Sequence, residues 1–350
     1  MSNRERLDGF RWSAVGSFPP TVGSAGCELD EGRALVGGGN AGGQLLRTTY
    51  VFDANTETFL RGPDLLVPRY GHRFLLGRSG RVLAVGGSAK HWIKSPDPPF
   101  HRVYEASIPA EYLDPGKAAW EPAESLGIPC LNWCACAHLD EEVVLVAGGL
   151  VDERATSRAW VVSLSSLTVI DELEMPRARH NDDAVYLPGP TQVVVAGGEA
   201  SGRFEVLERA RNQWLDTPEF AEHRAEFRLV RANNGEALAI GGGFPPSDVD
   251  DVVLRWSGTS WVREPPPALP IGRRATVTEI TPGTFLVLGT TGPDQNESTA
   301  QVYDDASRVW SPISAPREPR WGHTSIPVGR KRILVFGGAD CRTAELGKPD

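Results

Sequence analysis

ILVFGG at 333–338 is the last of seven apolar runs that end in glycine, and their spacing decides the architecture. Upstream stand ALVGG (34–38), VLAVGG (82–87), VVLVAGG (143–149), VVVAGG (193–198), ALAIGG (237–242) and TFLVLG (284–289). The first glycines fall at 37, 86, 148, 197, 241, 289 and 337, so the intervals are 49, 62, 49, 44, 48 and 48 residues. A period near fifty announces a repeat architecture before any residue is assigned a task. A second ruler agrees with it. Trp12, Phe59, Trp120, Ile170, Trp214, Trp261 and Trp310 precede the next first glycine by 25 to 28 residues. Length variation is confined to the segment between a glycine pair and the following bulky residue.

Each unit reads as four short strands. A polar-to-apolar strand leads, the glycine-ended strand follows, then one like residues 50–53, then the one carrying the bulky residue. A lone sheet of this kind cannot bury both faces, whereas sheets stacked radially bury them against one another. The bulky residue suits a wedge between neighbouring sheets, with one N–H to satisfy when it is tryptophan. The ends of the chain predict how the ring closes. The last unit has no tryptophan strand, and residues 10–15 form an orphan one carrying Trp12. We therefore expect an all-β, seven-bladed propeller spanning 1–350 as one domain. Residues 1–17 would supply the closing outer strand of blade 7, and 88–119 a long loop insertion. Closure of this kind removes open sheet edges.

The order arginine–histidine segment, apolar strand with Gly-Gly, aromatic-Asp, tryptophan resembles the kelch repeat of kelch-type β-propellers. The best copies are Phe52-Asp53 to Phe59 and Tyr303-Asp304 to Trp310, with Pro68-Arg69 and Pro319-Arg320 after or beside them. Some copies depart from the pattern: Ile170 replaces tryptophan, and Gly289-Thr290 replaces a glycine pair. The resemblance covers nearly the whole chain and suggests a stand-alone propeller of bacterial type. It implies that binding or catalysis sits on the face where the channel opens.

Composition narrows the function classes. A net charge of −9 argues against a nucleic-acid platform. No run of eighteen apolar residues is present to span a membrane, and the polar start lacks a signal peptide's apolar centre. Five cysteines, few and odd in number, read as reduced thiols of a cytoplasmic protein, expected to be a monomer.

Counting back from each first glycine places candidate rings around the channel. Fourteen residues before it stand Gly23, His72, Cys134, Asp183, Phe227, Ala275 and His323. Seventeen before it stand Pro20, Arg69, Leu131, His180, Arg224, Gly272 and Arg320. Tyr70, Trp133, Asp182, Glu226, Arg273, Arg274 and Trp321 fall between or beside them. Equal turn lengths are assumed, so each position carries a tolerance of one or two residues.

Three groups follow from this map. Arg69, Arg179, Arg224, Arg273, Arg274 and Arg320 would grip a carboxylate or phosphate bidentately, or else pair with acids of neighbouring blades. His72 and His323, with Asp182, Asp183 or Glu226, would exchange protons near neutral pH. Cys134 beside His72 is a candidate nucleophile. Tyr70, Trp133, His180 and Trp321 would complete the substrate wall, and Trp92 in the long loop would cover the mouth. Cys134, Cys136 and His138 alternate along a strand at about 6.5 Å per step, too wide to close on one metal, so neither metal nor cofactor is expected. Two functional readings stay open. One is an isomerase, cyclase or lyase acting on a small anionic molecule. The other is a binding module for an acidic peptide or protein motif on the same face.

Overall fold

The computed structural model describes residues 9–88, 91–92, 102–103, 110–180, 182–197, 204–215, 217, 227–241, 252–272, 274–291 and 297–350. Seven antiparallel sheets, each built on four strands, form the blades of a propeller. The innermost strands are Ala25–Asp30, Tyr70–Leu76, Ala135–His138, Asp182–Leu187, Phe227–Arg231, Thr276–Thr281 and His323–Pro327. The glycine-ended runs are the second strands, from Arg33–Gly37 in blade 1 to Ile333–Gly337 in blade 7. No helix among the described residues is long and apolar enough to cross a membrane.

The second strands are continuously apolar because both their faces are buried, and side chains alternate between the faces. Leu334 and Phe336 pack on blade 1 with Val36 and Phe52. Ile333 and Val335, one residue out of step, pack on blade 6 with Leu286 and Leu288. The same alternation fills the gap between every adjacent pair of blades, so the core is seven thin layers instead of one central mass.

Closure follows the expected plan. Phe10–Ser17 pairs with Thr343–Pro349, which gives blade 7 the order outer strand from the N-terminus, then three strands from the C-terminus. Trp12 is buried between blades 6 and 7, and its Nε1 donates to the Ser314 carbonyl at 2.7 Å. Trp120 and Trp310 repeat that contact on Pro63 and Pro265, at 3.0 and 3.2 Å. Each tryptophan thus ties its blade to the segment leaving the previous one. Ile170 does not act as a wedge. It is 50% exposed, and Trp160 of the third strand fills the gap between blades 2 and 3 instead.

The glycine pairs are stitched to the next blade by backbone hydrogen bonds. Gly39 N donates to Arg69 O (2.8 Å), Gly87 N to Leu131 O (2.7 Å), Gly149 N to Arg179 O (2.8 Å), and Gly338 N to Thr21 O (2.7 Å). The last of these joins blade 7 to blade 1. A side chain at Gly38, whose φ is +65°, would collide with the His72 ring and the Arg69 carbonyl. The neighbour's approach is what requires glycine there.

The stretch 88–119 is not wholly a loop. Glu111–Leu113 is the third strand of blade 2, paired with the glycine-ended strand. His91–Trp92 and Arg102–Val103 pair as a short ribbon.

Candidate functional site

The turn entering each innermost strand decides what reaches the channel mouth. Its last residue is left-handed in blades 1, 2 and 7, where it is Gly23 (φ +69°), Gly71 (φ +69°) and Gly322 (φ +70°). Blades 3 and 6 hold the same conformation with Trp133 (φ +58°) and Arg274 (φ +54°). A residue with a Cβ gives up about 1–2 kcal/mol to sit there. Strain of this kind gathers where function requires a side chain to be aimed.

Those two side chains meet at the mouth. The Arg274 guanidinium lies over the Trp321 ring at 4.5 Å and the Trp133 ring at 5.6 Å. Tyr70 meets Trp133 edge-on at 5.7 Å between centroids. These residues wall an open cavity of about 490 Å³, with Asn40 and Asp340 also on its wall. A second cavity of about 260 Å³ lies among the innermost strands, and it shares Val22, Trp133 and Arg274 with the mouth.

Among the described residues, Arg274 apart, the charge of this inner cavity comes from one ring. Its members face the residue before the glycine pair, which in blade 1 is Gly38–Gly39: Ala25, Arg73, Ala135, Asp183, Arg228, Thr276 and Thr324. All except Ala135 line the cavity. Arg73 makes no hydrogen bond or ion pair among the described residues. Asp183 Oδ2 accepts the Leu229 N–H of the next blade at 3.0 Å. Two guanidinium groups against one carboxylate, with Arg274 above, make a cationic channel in an acidic protein. Such a channel suits an anion.

Counting at equal turn lengths missed Arg73 and Arg228 by one residue. The position opposite the first glycine is Ala25 in blade 1 and Asp182 in blade 4, not Gly23 and Asp183. In blade 1 the glycine equivalent to Gly86 and Gly337 is Gly38, not Gly37, and in blade 4 the hairpin is one residue longer than the 14 counted. In the other blades the counted ring is right, yet the arginines are on the next residue along. Arginine recurring thirteen residues before the glycine, at 73 and 228, was the available signal.

The two histidines differ. His323 Nδ1 lies 2.6 Å from the Arg320 carbonyl, which can only accept, so Nδ1 carries the proton. Its Nε2 then accepts from Thr276 Oγ1 of blade 6 at 2.8 Å. With both nitrogens engaged and burial pushing the imidazole down to about 4, His323 is a neutral clip between blades and not half of a proton-transfer pair. His72 stands at the same position in blade 2, but the preceding blade offers Ala25, with no hydroxyl, where blade 6 has Thr276. His72 is 1% exposed, and neither ring nitrogen has a partner among the described residues. Burial, with Arg69 and Arg73 nearby, holds it well below the ordinary histidine range. It borders the inner cavity.

Arg69 and Arg320 cannot grip a ligand. Arg69 is wholly buried, with Nη2 on Glu111 at 2.5 Å and Nη1 on the Gly86 carbonyl at 2.7 Å. Arg320 pairs with Glu345 at 2.9 Å and donates to the Gly337 and Thr343 carbonyls. Arg179 repeats the pairing with Glu205 at 3.2 Å, and His180 beside it lines neither cavity. Each arginine holds its blade's third strand.

Cys134 is not placed as a nucleophile. It is fully buried in the layer between blades 2 and 3 and lines neither cavity. Cys136 abuts it, and the hydrogen bond between the two thiols, together with burial, keeps the Cys136 thiol well above its ordinary range. Ala135 and Ala137 pack on the opposite face toward blade 4. Among the described residues no three His, Cys, Asp or Glu side chains gather as a metal site. Glu226, Arg224 and Arg273 lie outside the described residues, as do the side chains of Asp182 and Trp92 and most of the long loop.

No protein-family profile matches the chain. Over 146 residues, 40% of the chain, it is 29% identical to Kelch-like protein 34 of Homo sapiens. Together with seven blades built on the glycine-ended repeat, that decides the family. The chain is a kelch-repeat β-propeller. The matched segment of this kelch propeller spans 20% of the human protein's length. Among solved structures, it is similar to a "Novel fungal alcohol oxidase with catalytic diversity among the AA5 family, in complex with copper". The TM-score is 0.68, over 97% of this chain and 76% of that one. At 16% identity this likeness shows the fold alone, and the copper belongs to the fungal protein.

Proposed function

We propose that the channel of this kelch propeller is a small-molecule site for an anionic ligand, on which it performs acid–base chemistry of isomerase, cyclase or lyase type. The observation that carries the reading is the ring with Arg73 and Arg228 beneath Arg274, in a cavity among the innermost strands of a chain whose net charge is −9. A carboxylate or phosphate held there would stand beside His72. A buried imidazole with neither nitrogen partnered among the described residues calls for an explanation, and a ligand supplies one. His72 is neutral at physiological pH and so can accept a proton. An anion bound at Arg73 would screen one of the charges that depress it. His72 is thus the base in this reading, and Asp183 the carboxylate on the same wall.

A second reading, capture of an acidic peptide, is favoured by the larger and more open mouth. Calorimetry with small carboxylates and phosphates, beside selection from a peptide library, separates the two. Arg73→Ala and Arg228→Ala should each weaken a small anion by about tenfold or more, as charged hydrogen bonds of about 1.5–3 kcal/mol imply. His72→Ala should abolish turnover of the molecule recovered with native protein and leave its affinity nearly unchanged. Binding confined to peptides, with no small anion taken up, would replace the first reading by the second.

A further inference from the structure

We infer that the mouth selects for an aromatic ring carrying the anion, so that the ligand class is an aryl carboxylate or its phosphate counterpart; this rests on the channel being an anion site. Three aromatic side chains wall the mouth cavity, Tyr70, Trp133 and Trp321, drawn from blades 2, 3 and 7. Arg274 from blade 6 lies over two of them. Stacking engages the flat face of a guanidinium and leaves its N–H groups directed in the plane, where they match the two oxygens of a carboxylate. The indoles also present flat π surfaces to a ligand ring, and a planar ring gains from offset or edge contacts that a saturated ring lacks.

Charge decides which kind of aromatic molecule fits. An aromatic cation would be repelled by Arg274 at the mouth and by Arg73 and Arg228 below. An aryl anion has its charge met by Arg274 and its ring met by the walls. The exposed Asp340 on the cavity wall offers oxygen acceptors, which suit a hydroxyl or amino group on the ring. The left-handed turn marks this arrangement as built. Blades 1, 2 and 7 use glycine there, while blades 3 and 6 hold Trp133 and Arg274 in the conformation glycine favours. These are two of the residues that form the cage.

The test compares three probes of similar size by calorimetry: benzoate, cyclohexanecarboxylate and benzamide. Benzoate should bind at least about tenfold more tightly than either of the others. Arg274→Gly and Trp133→Gly restore the residue that three other blades use at the same turn. Both should therefore keep a native circular dichroism spectrum, and each should weaken benzoate by about tenfold. Trp321→Ala should erase the preference for benzoate over cyclohexanecarboxylate. Equal binding of the two acids would overturn the aromatic selection and leave the anion site standing. Equal binding of benzoate and benzamide, or no binding of any probe, would overturn both. Unchanged benzoate affinity in folded Arg274→Gly protein would also overturn the proposed cage.

Discussion

Glu111→Gln tests whether the buried arginines are part of the framework or of the site. Arg69 and Glu111 are both 0% exposed, and their side chains meet at 2.5 Å. The second carboxylate oxygen accepts the Leu66 N–H at 2.6 Å. Burial raises the Glu111 carboxyl above its ordinary range while the Arg69 guanidinium opposes that rise, so the charges stand because they are paired. Glutamine keeps the shape and the bond to Leu66 N–H but leaves a guanidinium buried without its counter-charge. Breaking such a pair costs about 3–5 kcal/mol.

Blade 6 shows how the loss can be recovered. There Gly272 replaces the arginine, and Gln301 stands where Glu111 stands in blade 2. Gln301 accepts the Leu269 N–H at 3.0 Å and donates to the Leu269 carbonyl at 2.7 Å. Leu269 precedes Gly272 by the same three residues that separate Leu66 from Arg69. The double variant Arg69→Met with Glu111→Gln should therefore lie within about 2 kcal/mol of the parent, since neutral replacement of a buried pair is often well tolerated. Guanidinium-chloride unfolding of the parent, both single variants and the double variant gives the coupling energy. Additive losses, or a Glu111→Gln cost below about 1 kcal/mol, would refute the framework role and return Arg69 to the candidates for ligand binding.

Other outcomes follow from the same geometry. The pKa of His323 falls from its ordinary 6.5 to about 4 on burial, so stability is fully present above pH 6.5 and is lost as pH drops through 4. The loss amounts to about 3 kcal/mol. Unfolding midpoints across that window should be flatter in His323→Gln, and an equal slope in both proteins would remove the clip as its source. Trp12→Ala should cost about 3–5 kcal/mol as a buried aromatic truncation. Limited proteolysis should then cut first near residues 10–17, and cleavage elsewhere would argue that another gap is the weaker seam.

Much of the fold was legible because it is written in local repeats. A run such as ILVFGG states its own burial on both faces, and the orphan Trp12 strand states the closure. The mouth was legible in part: Tyr70, Trp133, Arg274 and Trp321 come together as the counting placed them near the channel. The inner ring was not. In a strand, one residue of slip exchanges a face toward the channel for a face toward the next blade. The hairpin of blade 4 is one residue longer than the count assumes, and nothing local in the run Gly37-Gly38-Gly39 announces that Gly38 is the first of the pair. Arg69 and Arg73 are four residues apart and equally basic, yet one is locked in a buried pair and the other borders the cavity.

Read alone, the chain determined the number of blades and the seam that joins its ends. Only the tertiary structure decided which guanidinium groups the mouth and channel present, which histidine is clipped between blades, and where the aromatic rings converge. The reason is that periodicity is a property of neighbours along the chain. The partners that occupy or liberate a side chain here, such as Glu111, Thr276 and Ala25, come from distant strands and set its chemistry only once the ring is closed.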